Sequence, residues 1–207
     1  MKNVAIIDYG MGNLDSVARA IEVCGGEPMV TALPADLATA DRIILPGVGA
    51  FGDGMAQLRR SGFDDGLRGE VLGKGIPMLG ICLGMQLLAT RGFEGGENEG
   101  LGFIAGEVRR FEPEDPAVRV PHVGWNEVYP ERPLPLFDGI PEGRDFYFVH
   151  SYHFRPENPG AAAAYTPYCG RFVSCVNQGN VYGVQFHPEK SQRLGLQLLR
   201  NFLEGMC

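Results

Sequence analysis

The sequence predicts an α/β fold in which helices flank a central, mostly parallel sheet and antiparallel strands are added in the C-terminal half. Three observations lead there. Short β-rich apolar runs alternate with helical patterns through the first half of the chain, as βα units do. Seven of the fifteen prolines fall between Pro113 and Pro141, where edge strands and turns tolerate a missing N–H better than parallel strands would. Two strand-like runs flank Asn177-Gln178-Gly179-Asn180, a composition that suits a hairpin turn.

The elements follow in order. Val4 to Asp8 reads as the first strand. After a turn at Gly10 to Gly12, Leu14, Val17, Ala18, Ile21 and Cys24 recur at helical spacing, with Asn13 as N-cap and Gly25-Gly26 as the stop. Met29 to Ala32 and Arg42 to Leu45 read as the second and third strands. A Gly-interrupted helical region from about Gly54 to Leu72 leads to a fourth, Pro77 to Ile81, and all four are expected side by side. Met85 to Ala89 is helical. Beyond the proline-rich stretch, Phe146 to Tyr152 resumes a strand, Phe172 to Val176 and Val181 to Phe186 form the hairpin, and an amphipathic helix from Ser191 to Leu203 closes the fold. No internal repeat is visible, and Ala161 to Ala164 is the one low-complexity patch.

Composition narrows the function. A chain of 207 residues, 44% hydrophobic and 21% charged, is expected to form one domain, 1–207, whose core needs no metal or cross-link. The balance of 18 basic against 25 acidic residues, net −7, with no Lys/Arg run longer than two, argues against a nucleic-acid or anionic-membrane surface. The longest apolar run, Ile76 to Met85, is too short to span a bilayer, and Asp8 interrupts the first apolar stretch before a secretion signal could form. The expected location is the cytoplasm. Five cysteines (Cys24, Cys82, Cys169, Cys175, Cys207), odd in number and without a C-x-x-C, indicate neither a disulfide framework nor a zinc site. No metal or cofactor is expected.

Of these cysteines, Cys82 stands in Gly80-Ile81-Cys82-Leu83-Gly84, between a buried strand and a helix, which fits a nucleophile elbow. A sharp strand-to-helix turn exposes the nucleophile, flanking glycines let backbone approach closely, and a helix N-terminus favours thiolate. The competing reading is a buried cysteine in a Gly-rich turn. A thiolate also needs a base and a group to orient that base. Of the four histidines, His187 ends a strand in Gln185-Phe186-His187-Pro188-Glu189, and Pro188 biases it towards extended backbone. Two positions apart on an extended segment, His187 and Glu189 are expected on one side, so that the carboxylate fixes the tautomer while the other nitrogen faces Cys82.

Residues 47–52 match G-x-G-x-x-G, which by itself points to a dinucleotide site. That fingerprint belongs in the first βα turn, whereas this loop follows the third strand. The preferred reading is a glycine loop that aims an N–H at a tetrahedral oxyanion, paired with the N–H of Leu83.

In this order, P-G-V-G at Pro46, G-I-C-L-G-M-Q at Gly80 and F-H-P-E-K-S at Phe186 resemble the class I glutamine amidotransferases, which use Cys-His-Glu to release ammonia from glutamine. Three further blocks, D-Y-G-M-G-N at Asp8, P-H-V-G-W-N at Pro121 and Y-F-V-H-S-Y at Tyr147, resemble the glutaminase subunits of imidazole glycerol phosphate synthases within that family. The resemblance spans essentially the whole chain. It implies Cys82 as nucleophile, His187 as base and then acid, and Glu189 as the residue orienting His187. It implies glutamine recognition by Gln86 and Glu94, with backbone around Ser151 and Tyr152, and an oxyanion hole from Val48, Gly49 and Leu83 completed when a loaded partner is present. It further implies a separate cyclase subunit, joined as a heterodimer and making imidazole glycerol phosphate in histidine biosynthesis, with Trp125, Asn126, Tyr147 and Lys190 facing it. A core aromatic and solvated polar groups are the plain alternative for those four. Rival functions are the glutaminase subunit of another synthase, a catalytically silent regulatory module of the same fold, and a thiol protease or acyl hydrolase. Against these stand the two blocks at Pro121 and Tyr147, the complete Cys-His-Glu set, and Gln86.

Overall fold

Four parallel strands occupy the first half of the chain: β1 (Asn3–Ile7), β2 (Glu27–Thr31), β3 (Arg42–Leu45) and β4 (Met78–Ile81). They lie side by side in the order β2-β1-β3-β4, as the apolar runs predict. Alternation along β1 sends Val4 and Ile6 into one core and Ala5 and Ile7 into another, so both faces of the sheet need a helical cover. The computed structural model describes residues 1–205. Cys207 lies outside the described residues.

Helices α1 (Leu14–Val23) and α5 (Gln192–Glu204) cover the first face, with Val17, Ile21, Leu198, Leu199 and Phe202 inward. Asn13 holds the N-cap position of α1 without a side-chain capping bond. The other face is covered by α2 (Phe51–Ser61) and α3 (Phe63–Leu67), followed by a π-helical turn over Arg68–Gly73. Gly62, at φ +74°, breaks the single helical region expected there, since that left-handed backbone suits glycine. A short helix, α4 (Leu83–Leu87), follows β4 directly.

The second half differs more from expectation. Two-residue strands β5 (Arg91–Gly92) and β6 (Asn98–Glu99), with β7 (Gly106–Arg110), precede the long β8 (His122–Pro130). The single strand expected over Phe146 to Tyr152 is two, β9 (Arg144–His150) and β10 (Tyr152–Pro156), because the chain changes sheets at Ser151. The alanine patch lies within β11 (Ala162–Thr166), whose small side chains are mostly buried between neighbouring strands. The hairpin is present as β12 (Phe172–Gln178) and β13 (Val181–Val184); Gln178 pairs with Val181, leaving Gly179-Asn180 as the loop.

The large sheet therefore runs β2-β1-β3-β4-β13-β12-β11-β8-β9, and a second sheet runs β10-β7-β5-β6. β13 is the hinge of the arrangement, parallel to β4 on one side and antiparallel to β12 on the other. The small sheet contributes Val108 and Phe154 to the core beneath α2 and α4 and carries the loop that holds Glu94.

Arg42, only 4% exposed, ties the parallel half to α5: its Nε donates to the Phe202 carbonyl at 3.1 Å and Nη1 to the Asp41 carbonyl at 2.8 Å. Arg42→Ala is expected to lower the unfolding free energy by about 2 kcal/mol, the scale of a charged hydrogen bond, at an unchanged urea m-value. A change within experimental error would show that the packing of α5 alone holds this junction.

Candidate active site

The end of β4 forces the backbone into the elbow. Cys82 has φ +53° and ψ −108°, a region that costs a non-glycine residue on the order of 1–3 kcal/mol. The strain is held by a bond from Cys82 N–H to the Val184 carbonyl, 2.8 Å, which extends the β4–β13 ladder into the turn. Close approach fixes the glycines on either side. A Cβ at Gly84 would lie 1.8 Å from the Leu45 carbonyl oxygen, and one at Gly80 would lie 2.6 Å from the Gly84 oxygen. The Cys82 side chain sits near the Val149 carbonyl, 3.9 Å from Sγ, and receives a hydrogen bond from Gln185 Nε2 at 3.7 Å.

His187 follows β13, two residues after Gln185, with its N–H on the Tyr147 carbonyl at 2.9 Å. Its backbone is extended before Pro188, as expected. The route to Glu189 is different: Pro188–Lys190 is a 3₁₀ turn, and this turn, rather than strand alternation, carries the carboxylate back to the ring. Nδ1 meets Glu189 Oε1 at 2.8 Å, with the two side chains 3% and 2% exposed. A carboxylate oxygen accepts, so Nδ1 carries the proton and Nε2 is left for the thiol. Nε2 is buried without a hydrogen-bond partner, outside bonding geometry but within electrostatic reach of Cys82.

Burial lowers the His187 pKa, yet the nearness of Cys82, and then the hydrogen bond and charge of Glu189, outweigh it and raise the value to about 9. A raised histidine pKa stabilises the fold below its unfolded value of 6.5, and this contribution is lost as pH rises through about 9.

Cys82 and His187 open on a cleft of about 520 Å³, also lined by Val48, Gly49, Leu83, Gln86, Glu94, Ser151 and Tyr152. The predicted oxyanion and substrate residues thus line one cleft with Cys82 and His187, while Glu189 lies behind His187. Their engagements differ. Val48 N–H donates to the Met11 carbonyl at 3.2 Å and is turned away from any oxyanion, while Gly49 sits at φ +105°. Leu83 begins α4, where N–H groups lack intrahelical acceptors. Gln86 spends its amide nitrogen on the Tyr152 carbonyl and on Gln185 Oε1, both at 3.0 Å, leaving its oxygen for a ligand. Glu94 Oε2 accepts from Phe51 N–H at 2.9 Å, so it caps α2 as well as lining the cleft. Among the described residues no group of three His, Cys, Asp or Glu could hold a metal ion.

Of the four residues assigned to a partner face, three gather. Trp125 and Tyr147 are paired across β8 and β9 with ring centroids 6.0 Å apart, and Lys190 Nζ lies 5.9 Å from the Tyr147 ring. Asn126 does not join them. It follows Trp125 on an alternating strand, and its side chain bonds His122 Nε2 at 3.1 Å and the Pro167 carbonyl at 3.0 Å.

Sequence reasoning missed Gln185, fully buried against the thiol; the available signal was strand alternation, which puts it on the face of His187. It also missed Tyr9, whose hydroxyl is buried without a partner and whose pKa is raised first by burial and then by the Cys82 charge. The remaining described cysteines are free, Cys24 and Cys175 buried and Cys169 partly so.

The model of the family Glutamine amidotransferase class-I matches residues 5–206. The chain belongs to this family. Among its relatives, the amidotransferase is 50% identical over 205 residues to the imidazole glycerol phosphate synthase subunit HisH of Moorella thermoacetica, covering 99% of this chain and 95% of the relative. It is 48% identical over 200 residues to subunit HisH 1 of Campylobacter jejuni (strain RM1221), covering 97% and 98%. A solved structure titled PurLQS from Thermotoga maritima superposes over all of both chains with a TM-score of 0.77 at 20% identity, which shows the shared fold.

Two outcomes follow for the amidotransferase. Glu189→Gln removes a charge that raises the His187 pKa, so the alkaline limb of kcat/KM for glutamine hydrolysis moves to lower pH; an unmoved limb would detach it from His187. Cys82→Gly relieves the φ +53° strain, and after the entropy cost of glycine it should unfold about 1 kcal/mol less readily than Cys82→Ala in urea. Equal stabilities would hold the strain at the elbow to no more than the entropy cost of glycine.

Proposed function

We propose that this chain, as a single amidotransferase domain over 1–207 acting in the cytoplasm, is the glutaminase subunit of an imidazole glycerol phosphate synthase. The observation that carries the reading is the elbow thiol of Cys82 beside a buried histidine whose Nδ1 is held by Glu189 at 2.8 Å. Cys82 as thiolate attacks the side-chain amide carbon of glutamine, and the carbonyl electron pair moves to oxygen. The imidazolium of His187 protonates the departing nitrogen, ammonia leaves, and a thioester remains. Neutral His187 then takes a proton from water, hydroxide adds to the thioester, and collapse expels the thiolate and glutamate.

Leu83 N–H supplies one donor to the oxyanion. The second, Val48 N–H, is committed to the Met11 carbonyl, so the Gly47–Val48 peptide must turn before the hole is complete. That supports a glutaminase that waits for its partner. Gln86, Glu94 and the backbone of Ser151 and Tyr152 hold the substrate from the far wall of the cleft.

The partner is a separate cyclase subunit in a heterodimer. Free ammonia would be protonated in water, and the cleft is rimmed by an apolar surface that can be sealed against another protein. Trp125 and Val123 are 48% and 57% exposed, and on β9 Val149 is 38% exposed beside Tyr147. This patch is continuous with the chemistry: the Tyr147 carbonyl receives His187 N–H, and the Val149 carbonyl lies at the thiol. Lys190, above Tyr147, adds a cation at the rim.

The test is glutamate release from glutamine by the chain alone, then with the cyclase subunit and its ribonucleotide substrate. A large rise only in the mixture is expected. Equal rates keep the glutaminase and remove the partner assignment, and no release in either points to a silent module. In the mixture Cys82→Ala should abolish glutamine-driven synthesis and spare ammonia-driven synthesis, and Trp125→Ala should weaken the activation.

A further inference from the structure

A train of buried and part-buried hydrogen bonds runs from β8 to the thiol, and the hydrolysis scheme does not use it. Gln185 is fully buried; its Nε2 donates to Cys82 Sγ at 3.7 Å and its Oε1 accepts from Gln86 Nε2 at 3.0 Å. The same Gln86 nitrogen donates to the Tyr152 carbonyl at 3.0 Å. That carbonyl also meets His150 Nδ1 at 2.8 Å; His150 Nε2 meets His122 Nδ1 at 2.9 Å, and His122 Nε2 meets Asn126 Nδ2 at 3.1 Å.

Backbone carbonyls fix every direction in this train, because a carbonyl can only accept. Facing the Tyr152 oxygen, Gln86 must present its nitrogen, so Gln185 must turn its oxygen to Gln86 and its nitrogen to the sulfur. On the other branch His150 must carry its proton on Nδ1. Its Nε2 then accepts from His122 Nδ1–H, and His122 Nε2 accepts from Asn126, whose amide is oriented by the Pro167 carbonyl at 3.0 Å. A second proton on either ring would set donor against donor. Burial keeps both rings neutral, lowering His122 to about 4 and His150 to about 3.

We propose that Gln185 is a catalytic hydrogen-bond donor to the Cys82 thiolate, and that Gln86, the Tyr152 carbonyl, His150 and His122 are positioning groups that hold its amide nitrogen on the sulfur. The proposal rests on the reading of Cys82 as nucleophile. Freed from Gln86, the Gln185 amide can rotate and present an acceptor to an anion, which opposes ionisation. The train also joins Asn126, next in the chain to exposed Trp125, to the thiol.

The experiment is the pH dependence of Cys82 alkylation by iodoacetamide in the full-length chain, followed by peptide mass mapping. The titratable groups around the sulfur are His187 after β13, Tyr9 after β1 and, across the cleft, Glu94 and His150, with Glu189 behind His187; all stay in place in the Gln185 variants, and His150, which burial keeps neutral, is the one group replaced in its own. Gln185→Leu should move the alkylation midpoint up by about one pH unit, a tenfold loss of thiolate on the acid side. Gln185→Glu, which sets a carboxylate against the sulfur, should move it further. His150→Leu should shift it in the same direction by less, and His150→Asn, whose amide nitrogen can replace Nδ1, should restore it. These two also carry the test if Gln185→Leu fails to fold. An unmoved midpoint in folded Gln185→Leu overturns the donor role, and identical profiles for His150→Leu and His150→Asn overturn the train. If wild-type Cys82 reacts no faster than Cys169, the nucleophile reading fails instead.

Discussion

The parallel pairing of β4 with β13 is the contact on which the cleft depends. Gly80 lies opposite Gly183 and Ile81 opposite Val184, so two strands far apart in sequence end side by side in register. Parallel strands deliver their C-terminal ends to one side, where open α/β sheets bind ligands. Cys82 leaves one of these ends and His187 the other. The ladder does more than align them, since its last bond, from the Cys82 amide to the Val184 carbonyl, holds the strained turn. On its far side β13 is antiparallel to β12, and the sheet beyond it is built to present β8 and β9 rather than to carry helices.

Strain at Cys82 is tolerable because its surroundings leave no room to relax. The elbow lies backbone against backbone on β3, with no space for a Cβ at Gly84, and α4 begins at once. A cost on the order of 1–3 kcal/mol is a sizeable share of a domain stability of roughly 5–15 kcal/mol. It is offset by a core in which β1, β3 and β4 are buried on both faces.

What could be read from the sequence follows from that burial. Runs such as Arg42–Leu45 and Met78–Ile81 announce themselves because parallel strands need apolar residues on both faces, and the elbow glycines because no other residue fits. The small sheet was illegible: two-residue strands have no period, and Arg91–Gly92 is a strand only because β7 and β6 flank it. Ala162–Thr166 is poor in β-formers, and its strand comes from its place between β12 and β8. In the site, His187 and Glu189 do touch, but not by the alternation their spacing suggests, since proline starts a turn instead of prolonging the strand. Gln185 carries no motif of its own, and the block that contains Asn126 does not announce the bonds its side chain makes; both depend on partners that only the tertiary fold brings near.

Sequence distance at the centre of the sheet sets a timetable for synthesis. Cys82 and Gln185 are 103 positions apart, and β4 gains its second neighbour only when β13 has been made. A ribosome-bound chain that has passed the elbow therefore holds a thiol with no base and an unpaired apolar edge in what becomes the middle of the molecule. Until the C-terminal hairpin emerges, such an intermediate exposes a strand edge that other strands can pair with. Assembly of the Cys82–Gln185 contact and concealment of that edge then arrive in a single late event.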